Sequence, residues 1–153
     1  MMRQILLVGL VVVHTAICCA LDMGALTAVA QRVTREQYPD ADYVIVDDVT
    51  RNDYDTNGAS LTLSETCLKV LTEKGKRENR TLSFGYDIAY GSVIVERVEI
   101  VKPDGAIVPV DIAAQSREMT DNSQMRMNIY NPNSKILQVS VPALDIGDLL
   151  YYR

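Results

Sequence analysis

Cysteine, carboxylate and carboxamide side chains are the groups in this sequence with chemistry to offer, and their spacing decides whether they can act. Cys67 is the first candidate, as a nucleophile. A thiol or hydroxyl nucleophile usually needs a neighbouring imidazole to take its proton near neutral pH. The chain has one histidine, His14, in the middle of an apolar run at the N-terminus. Zinc hydrolase sites also use at least one histidine as a rule. Without a partner, Cys67 reads as a small apolar side chain packed in a strand. No catalytic residue and no cofactor-binding residue is expected on this chain.

The second candidate is Asp53-x-Asp55-x-Asn57-Gly58, which has the spacing of the first ligands of a calcium loop, with glycine at the sharp turn. The closing position of such a loop is a bidentate glutamate. Here it is Ser64, and Glu65 lies one residue too far along. Asp53, Asp55 and Asn57 are therefore the candidate metal ligands, and an acidic hairpin turn is the competing reading. A carboxylate pair of the glycosidase kind would draw on Asp47, Asp48 and Glu65, but nothing in their spacing selects two of them. Lys74-Gly75-Lys76-Arg77 is a small basic cluster flanked by Glu73 and Glu78, as expected of a solvated loop.

The elements that must position these residues follow an N-terminal leader. Met1-Met2-Arg3-Gln4 is a short positive start, Ile5 to Ile17 is almost wholly apolar, and Cys18-Cys19-Ala20 supplies small residues before Leu21-Asp22. This is the layout of a secretory signal peptide, residues 1–20, cut after Ala20. Ala28-Val29-Ala30 is a second small-x-small site at which the cut would fall later. The apolar run is shorter than the roughly 20 residues of a spanning helix, so a membrane association is expected only through an uncleaved leader. Removal of the leader takes Cys18, Cys19 and His14 with it. Cys67 is then the sole cysteine, with no intrachain disulfide available.

The 153 residues carry a net charge of −5, with 23% charged and 48% hydrophobic residues. That composition provides one globular core, and its negative balance argues against a nucleic-acid partner. One Phe, eight Tyr and no Trp offer little platform for base stacking.

Residues 21–37 read as a lead-in segment, with a short helix from Ala25 to Tyr38 stopped by Pro39. From Tyr43 the chain breaks into β-type runs between turn residues: Tyr43 to Thr50, Leu61 to Thr72, Thr81 to Tyr90, Ser92 to Val101, Ala106 to Val110, Lys135 to Val141 and Leu149 to Arg153. Asn57-Gly58 and Pro103-Asp104-Gly105 mark two hairpins. Glu73 to Arg80 reads as a charged connector, and Ala113 to Pro132 as a long connection holding one short strand. In the second run Leu61, Leu63 and Cys67 share one face, while Leu68 and Val70 lie on the other, so its end should be covered on both sides. The expected class is all-β, mainly antiparallel and sandwich-like, with a short N-terminal helix. The run at Leu149 to Tyr152 reads as a strand that continues in a longer polypeptide.

Several segments together carry a family pattern. They are Tyr38 to Ile45, Leu68 to Arg77, Lys102-Pro103-Asp104-Gly105, Asn128-Ile129-Tyr130 and Val141 to Arg153. The ensemble over residues 38–153 resembles the DUF3857 family. The resemblance implies a β-rich fold like the N-terminal β-domain of M1 aminopeptidases. It also implies an exported bacterial protein, periplasmic, cell-surface or secreted. The module would precede a transglutaminase-like or protease-like domain of the same polypeptide, its expected partner, with the catalytic machinery there. Against that pattern the present chain would be incomplete at its C-terminus. The alternative is a freestanding extracellular or periplasmic binding module for carbohydrate, peptide or envelope protein.

Overall fold

Alternating side chains in the β-type runs sort into two apolar faces, and the fold is built by covering both. The computed structural model describes residues 21–123 and 131–153. The expected leader with its cut after Ala20, and Asn128-Ile129-Tyr130, lie outside the described residues. The elements are α1 (Met23–Ala30), β1 (Tyr43–Tyr54), β2 (Ser60–Val70), α2 (Glu73–Asn79), β3 (Thr81–Asp87) and β4 (Val98–Val101), followed by β5 (Ile107–Pro109), α3 (Ile112–Gln115), β6 (Ser116–Thr120), β7 (Ser134–Ser140) and β8 (Leu149–Tyr152). A five-stranded sheet has the order β1-β2-β8-β4-β5, and a three-stranded sheet the order β3-β7-β6. The pairings are antiparallel. The protein is thus all-β with a short N-terminal helix, as its residue pattern predicts.

Strand β8 is the centre of the larger sheet and divides its side chains between two cores. Leu150 and Tyr152 face the smaller sheet, where Leu68, Val70, Val98, Ile100, Leu82 and Val139 pack with them. Phe84 meets Tyr152 edge-on, with ring centroids 6.0 Å apart, a favourable aromatic arrangement. Leu149 and Tyr151 point the other way, joining Cys67 and Val101 under Leu26 and Ala30 of α1. The apolar run at 149–152 therefore owes its composition to a central, doubly covered position. The same division appears in β2, where Cys67 faces α1 and Leu68 and Val70 face the second sheet.

Besides β1 reaching Tyr54, β3 ending at Asp87 and helix α3 opening the long connection, three segments depart markedly from the expected boundaries. Helix α1 begins before Ala25 because Asp22 caps it, its Oδ1 accepting the Gly24 and Ala25 N–H groups; it ends at Ala30, well short of Tyr38. The run from Ser92 is strand only over Val98–Val101. The charged connector after Thr72 is helix α2. Thr72 Oγ1 accepts the Gly75 N–H at 3.1 Å, Glu73 sits in the first turn, and Lys76 and Arg77 lie in the last. That charge order matches the helix dipole.

Both predicted tight turns form, with Gly58 at φ 85° and Gly105 at φ 88°, a region that L side chains avoid. No helix among the described residues is long and apolar enough to cross a membrane.

Candidate functional site

Strand pairing defines a long β1–β2 hairpin. Strand β2 pairs with β8 only over Thr66–Lys69, while its pairing with β1 runs on from Asp48–Thr66 out to Tyr54–Ser60. Between Glu65 and the turn, the described partner of β2 is β1, and this outer part of the hairpin is the arm. One face carries a polar ladder of directly opposed residues. Thr66 Oγ1 donates to Asp48 Oδ1 at 2.7 Å, the Thr50 and Ser64 hydroxyls are 3.1 Å apart, and Thr62 Oγ1 donates to Asn52 Oδ1 at 2.6 Å. The other face presents Val49, Leu61 and Leu63 with Arg51 and Asp53 opposite the two leucines; Val49 is 42% and Leu61 70% exposed.

The candidate calcium residues sit at the end of that arm. Asp53 belongs to β1, and Asp55 and Asn57 to the turn. Asp55 Oδ1 accepts the N–H groups of Asn57 at 2.8 Å and Ala59 at 2.9 Å. The carboxylate thus organises the turn as an Asx motif, and strands flank it where a helix–loop–helix calcium site has helices. Asp55→Ala is expected to cost about 1 kcal/mol and to broaden the NMR signals of the arm tip. Calcium titration of the native chain is expected to produce no calorimetric heat and no change in melting temperature.

Cys67 lies at the root of the arm with no exposed surface. Burial, with a smaller contribution from Asp47, pushes its thiol up to about 11. At pH 8 that leaves roughly one thiolate in a thousand. A thiol reagent is therefore expected to label Cys67 at the rate of global unfolding, and to label it at once in denaturant. Rapid labelling of the folded chain would contradict this placement.

The remaining carboxylates are engaged separately. Asp47 Oδ1 accepts the Asp48 N–H at 2.9 Å, and Asp48 belongs to the ladder. Glu65 is only 2% exposed. Its Oε2 accepts hydrogen bonds from the Tyr151 hydroxyl at 2.7 Å and the Leu21 N–H at 3.0 Å. Desolvation pushes this carboxyl up, but those bonds and the nearby Arg153 and Arg97 outweigh it and hold it below the usual range. Burial, then the bond to Glu65, raises the Tyr151 phenol to about 12. Arg97 lies 5.4 Å over the Tyr151 ring and pairs with Glu99 at 2.8 Å; Arg153 pairs with Glu96 at 3.0 Å. This polar knot was not legible in the sequence, where Glu65 and Tyr151 stand 86 residues apart. The available hint was a glutamate on the apolar side of β2.

The basic cluster is structural in part. Lys74 Nζ reaches Asp42 Oδ2 at 2.7 Å, and Lys76 Nζ reaches Asp145 Oδ1 at 2.9 Å. Arg77 and Arg80 line a shallow cleft with Thr81, Ser140 and Pro142. Among the described residues, no group of three or more His, Cys, Asp or Glu side chains is placed to hold a metal ion.

Comparison with known proteins places this geometry. A search of curated proteins finds no match. A solved structure from Parabacteroides distasonis ATCC 8503, described as a "putative protease", superimposes with a TM-score of 0.64 at 14% identity. The superposition covers 72% of this chain and 22% of that protein, so the chain corresponds to about a fifth of its length, and the likeness is one of fold. The family model for a domain of unknown function with solved structure, DUF3857, matches residues 57–153. That span runs from the tip of the arm to the end of β8 and includes most of both sheets. The chain belongs to the DUF3857 family.

Proposed function

We propose that this chain is an exported, non-catalytic β-domain that serves as a docking module for a transglutaminase-like or protease-like domain following it in a longer polypeptide. The observation that carries this reading is the condition of Cys67: fully buried, its thiol raised to about 11, in a chain whose one histidine lies in the leader. Support also comes from membership of DUF3857 and from the likeness to a segment of a larger protein described as a "putative protease". The leader pattern is the basis for export to the periplasm or cell surface. The surface offered to the partner is the arm, on the face where Val49, Leu61 and Leu63 alternate with Arg51 and Asp53.

The test begins with the coding frame beyond Arg153. Where the frame stays open, the following segment is expected to contain a Cys…His…Asp set. Expressed separately, that segment should bind this chain, and Leu61→Asp should weaken binding about tenfold or more. A stop codon directly after Arg153 would transfer the reading to the freestanding binding module.

A further inference from the structure

We propose that the buried Glu65 carboxylate is the seat for the free α-ammonium group of Leu21, which removal of the leader after Ala20 would create. Loss of the leader and locking of α1 onto the sheet would then be one event. This inference rests on the cleavage reading given above.

The two lines that meet at Leu21 are independent. The sequence pattern of positive start, apolar run and small residues places the cut between Ala20 and Leu21. The fold places the nitrogen of Leu21, that same atom, 3.0 Å from Glu65 Oε2. A carboxylate 2% exposed needs hydrogen bonds and an opposite charge to offset its desolvation. A peptide N–H supplies one neutral donor, whereas an ammonium group supplies a full charge and three donors. A cut one residue earlier or later would move the amine by about 3.8 Å along the chain, out of this seat.

The surroundings tolerate the change. Asp22 keeps its capping bonds to the Gly24 and Ala25 N–H groups, and the Asp22 carbonyl keeps the Leu26 N–H at 2.9 Å. Tyr151 holds Glu65 from the β8 side. Arg97 and Arg153, paired with Glu99 and Glu96, already place positive charge near Glu65, and the amine would add to it at direct hydrogen-bond distance. At the far end of α1, Lys69 Nζ donates to the Ala30 carbonyl at 2.8 Å. The later site at Ala28-Val29-Ala30 fits poorly with this arrangement. Cutting there would remove α1 and strip Leu26 and Ala30 from the cluster over Cys67 and Tyr151.

An amine held against a carboxylate titrates above its ordinary range. Its stabilisation is complete below about pH 8, where the unfolded amine is still charged, and is lost as pH rises through the higher folded value. Glu65 acts oppositely: held below its usual range, it contributes above about pH 4.3 and is lost in acid.

The experiment uses the full chain exported from its own leader, with the new N-terminus read by mass spectrometry. A terminus other than Leu21 overturns the cleavage reading itself. With Leu21 confirmed, the processed chain is compared with a variant carrying one inserted glycine before Leu21, which keeps a peptide N–H at the seat but moves the charge. The insertion is expected to lower Tm by roughly 5–10 °C at neutral pH, and the gap should close at high pH once the amine is neutral. In Glu65→Gln the insertion should have little effect. Should Glu65→Gln fail to fold, NMR titration of the Leu21 amine decides the matter. A value raised above the ordinary range of about 7.7–8.0 supports the seat. An ordinary value, or equal melting of the native and inserted chains, overturns it.

Discussion

Gly75→Ala is expected to destabilise the fold by about 3 kcal/mol, which chemical denaturation would read directly and thermal melting would show as a fall of roughly 10 °C. The reason is a close approach of backbone to backbone. A Cβ at Gly75 would lie 2.1 Å from the Asp42 carbonyl oxygen and 2.7 Å from its carbon, and neither atom belongs to a flexible side chain that can swing aside. The Asp42 carbonyl is already committed, accepting the N–H groups of Leu71 at 3.0 Å and Thr72 at 3.2 Å. Its side chain takes Thr72 Oγ1 and Lys74 Nζ, each at 2.7 Å. Moving α2 away to admit a methyl group would loosen this whole junction between the entry to β1 and the end of β2. Gly85→Ala and Gly91→Ala are the controls: an added Cβ at either meets nothing within 4 Å, so both should stay within about 0.5 kcal/mol of the native chain.

Asp148→Ala should be of similar size, about 3 kcal/mol. Asp148 is 1% exposed. Its Oδ2 accepts the Lys102 ammonium at 2.7 Å and the Asp145 N–H at 2.6 Å. Truncation leaves Lys102, half inserted between β4 and the turn, with the Ala143 carbonyl at 2.7 Å in place of a full counter-charge. The same turn joins the central strand to β2, with the Gly147 N–H donating to the Val70 carbonyl and the Val70 N–H to the Asp148 carbonyl. Denaturant unfolding should show the full loss in Asp148→Ala and a smaller one in Asp148→Asn, which keeps an acceptor oxygen. Equal stability of Asp148→Ala and the native chain would mean that the turn is held by its backbone bonds alone.

Sequence patterning disclosed the sheets better than it disclosed their junctions. Period-two alternation at Leu137, Val139 and Val141 identified a core face because each strand there has one wet side. The two-faced end of β2 was readable from Cys67 against Leu68 and Val70 because apolar residues on both faces mark a strand covered on both sides. Asn57-Gly58 and Pro103-Asp104-Gly105 marked hairpins because their turn chemistry is local. Helix α2 was hidden because its seven residues, Glu73 to Asn79, expose a charged surface and bury Gly75 alone, leaving no apolar stripe to detect. Its evidence was the Thr72 cap, a single residue. The bulge near Val46, where the β1 register shifts between Ile45 and Asp47, was likewise invisible; local composition does not encode which residue is left unpaired. The Glu65–Tyr151–Leu21 contact depends on three distant segments meeting, so only the fold reveals it. The arm is intermediate: its turn was readable from Asn57-Gly58, but the pairing of β1 out to Tyr54, past the expected Thr50, was not.

If the chain contributes a surface and no chemistry, the purified protein should hydrolyse or transamidate no peptide substrate above the uncatalysed background. Cys67→Ala should leave that result unchanged, since the thiol is packing. Reproducible turnover that vanishes on a single replacement at Cys67, Glu65 or Tyr151 in a still-folded protein would contradict this account.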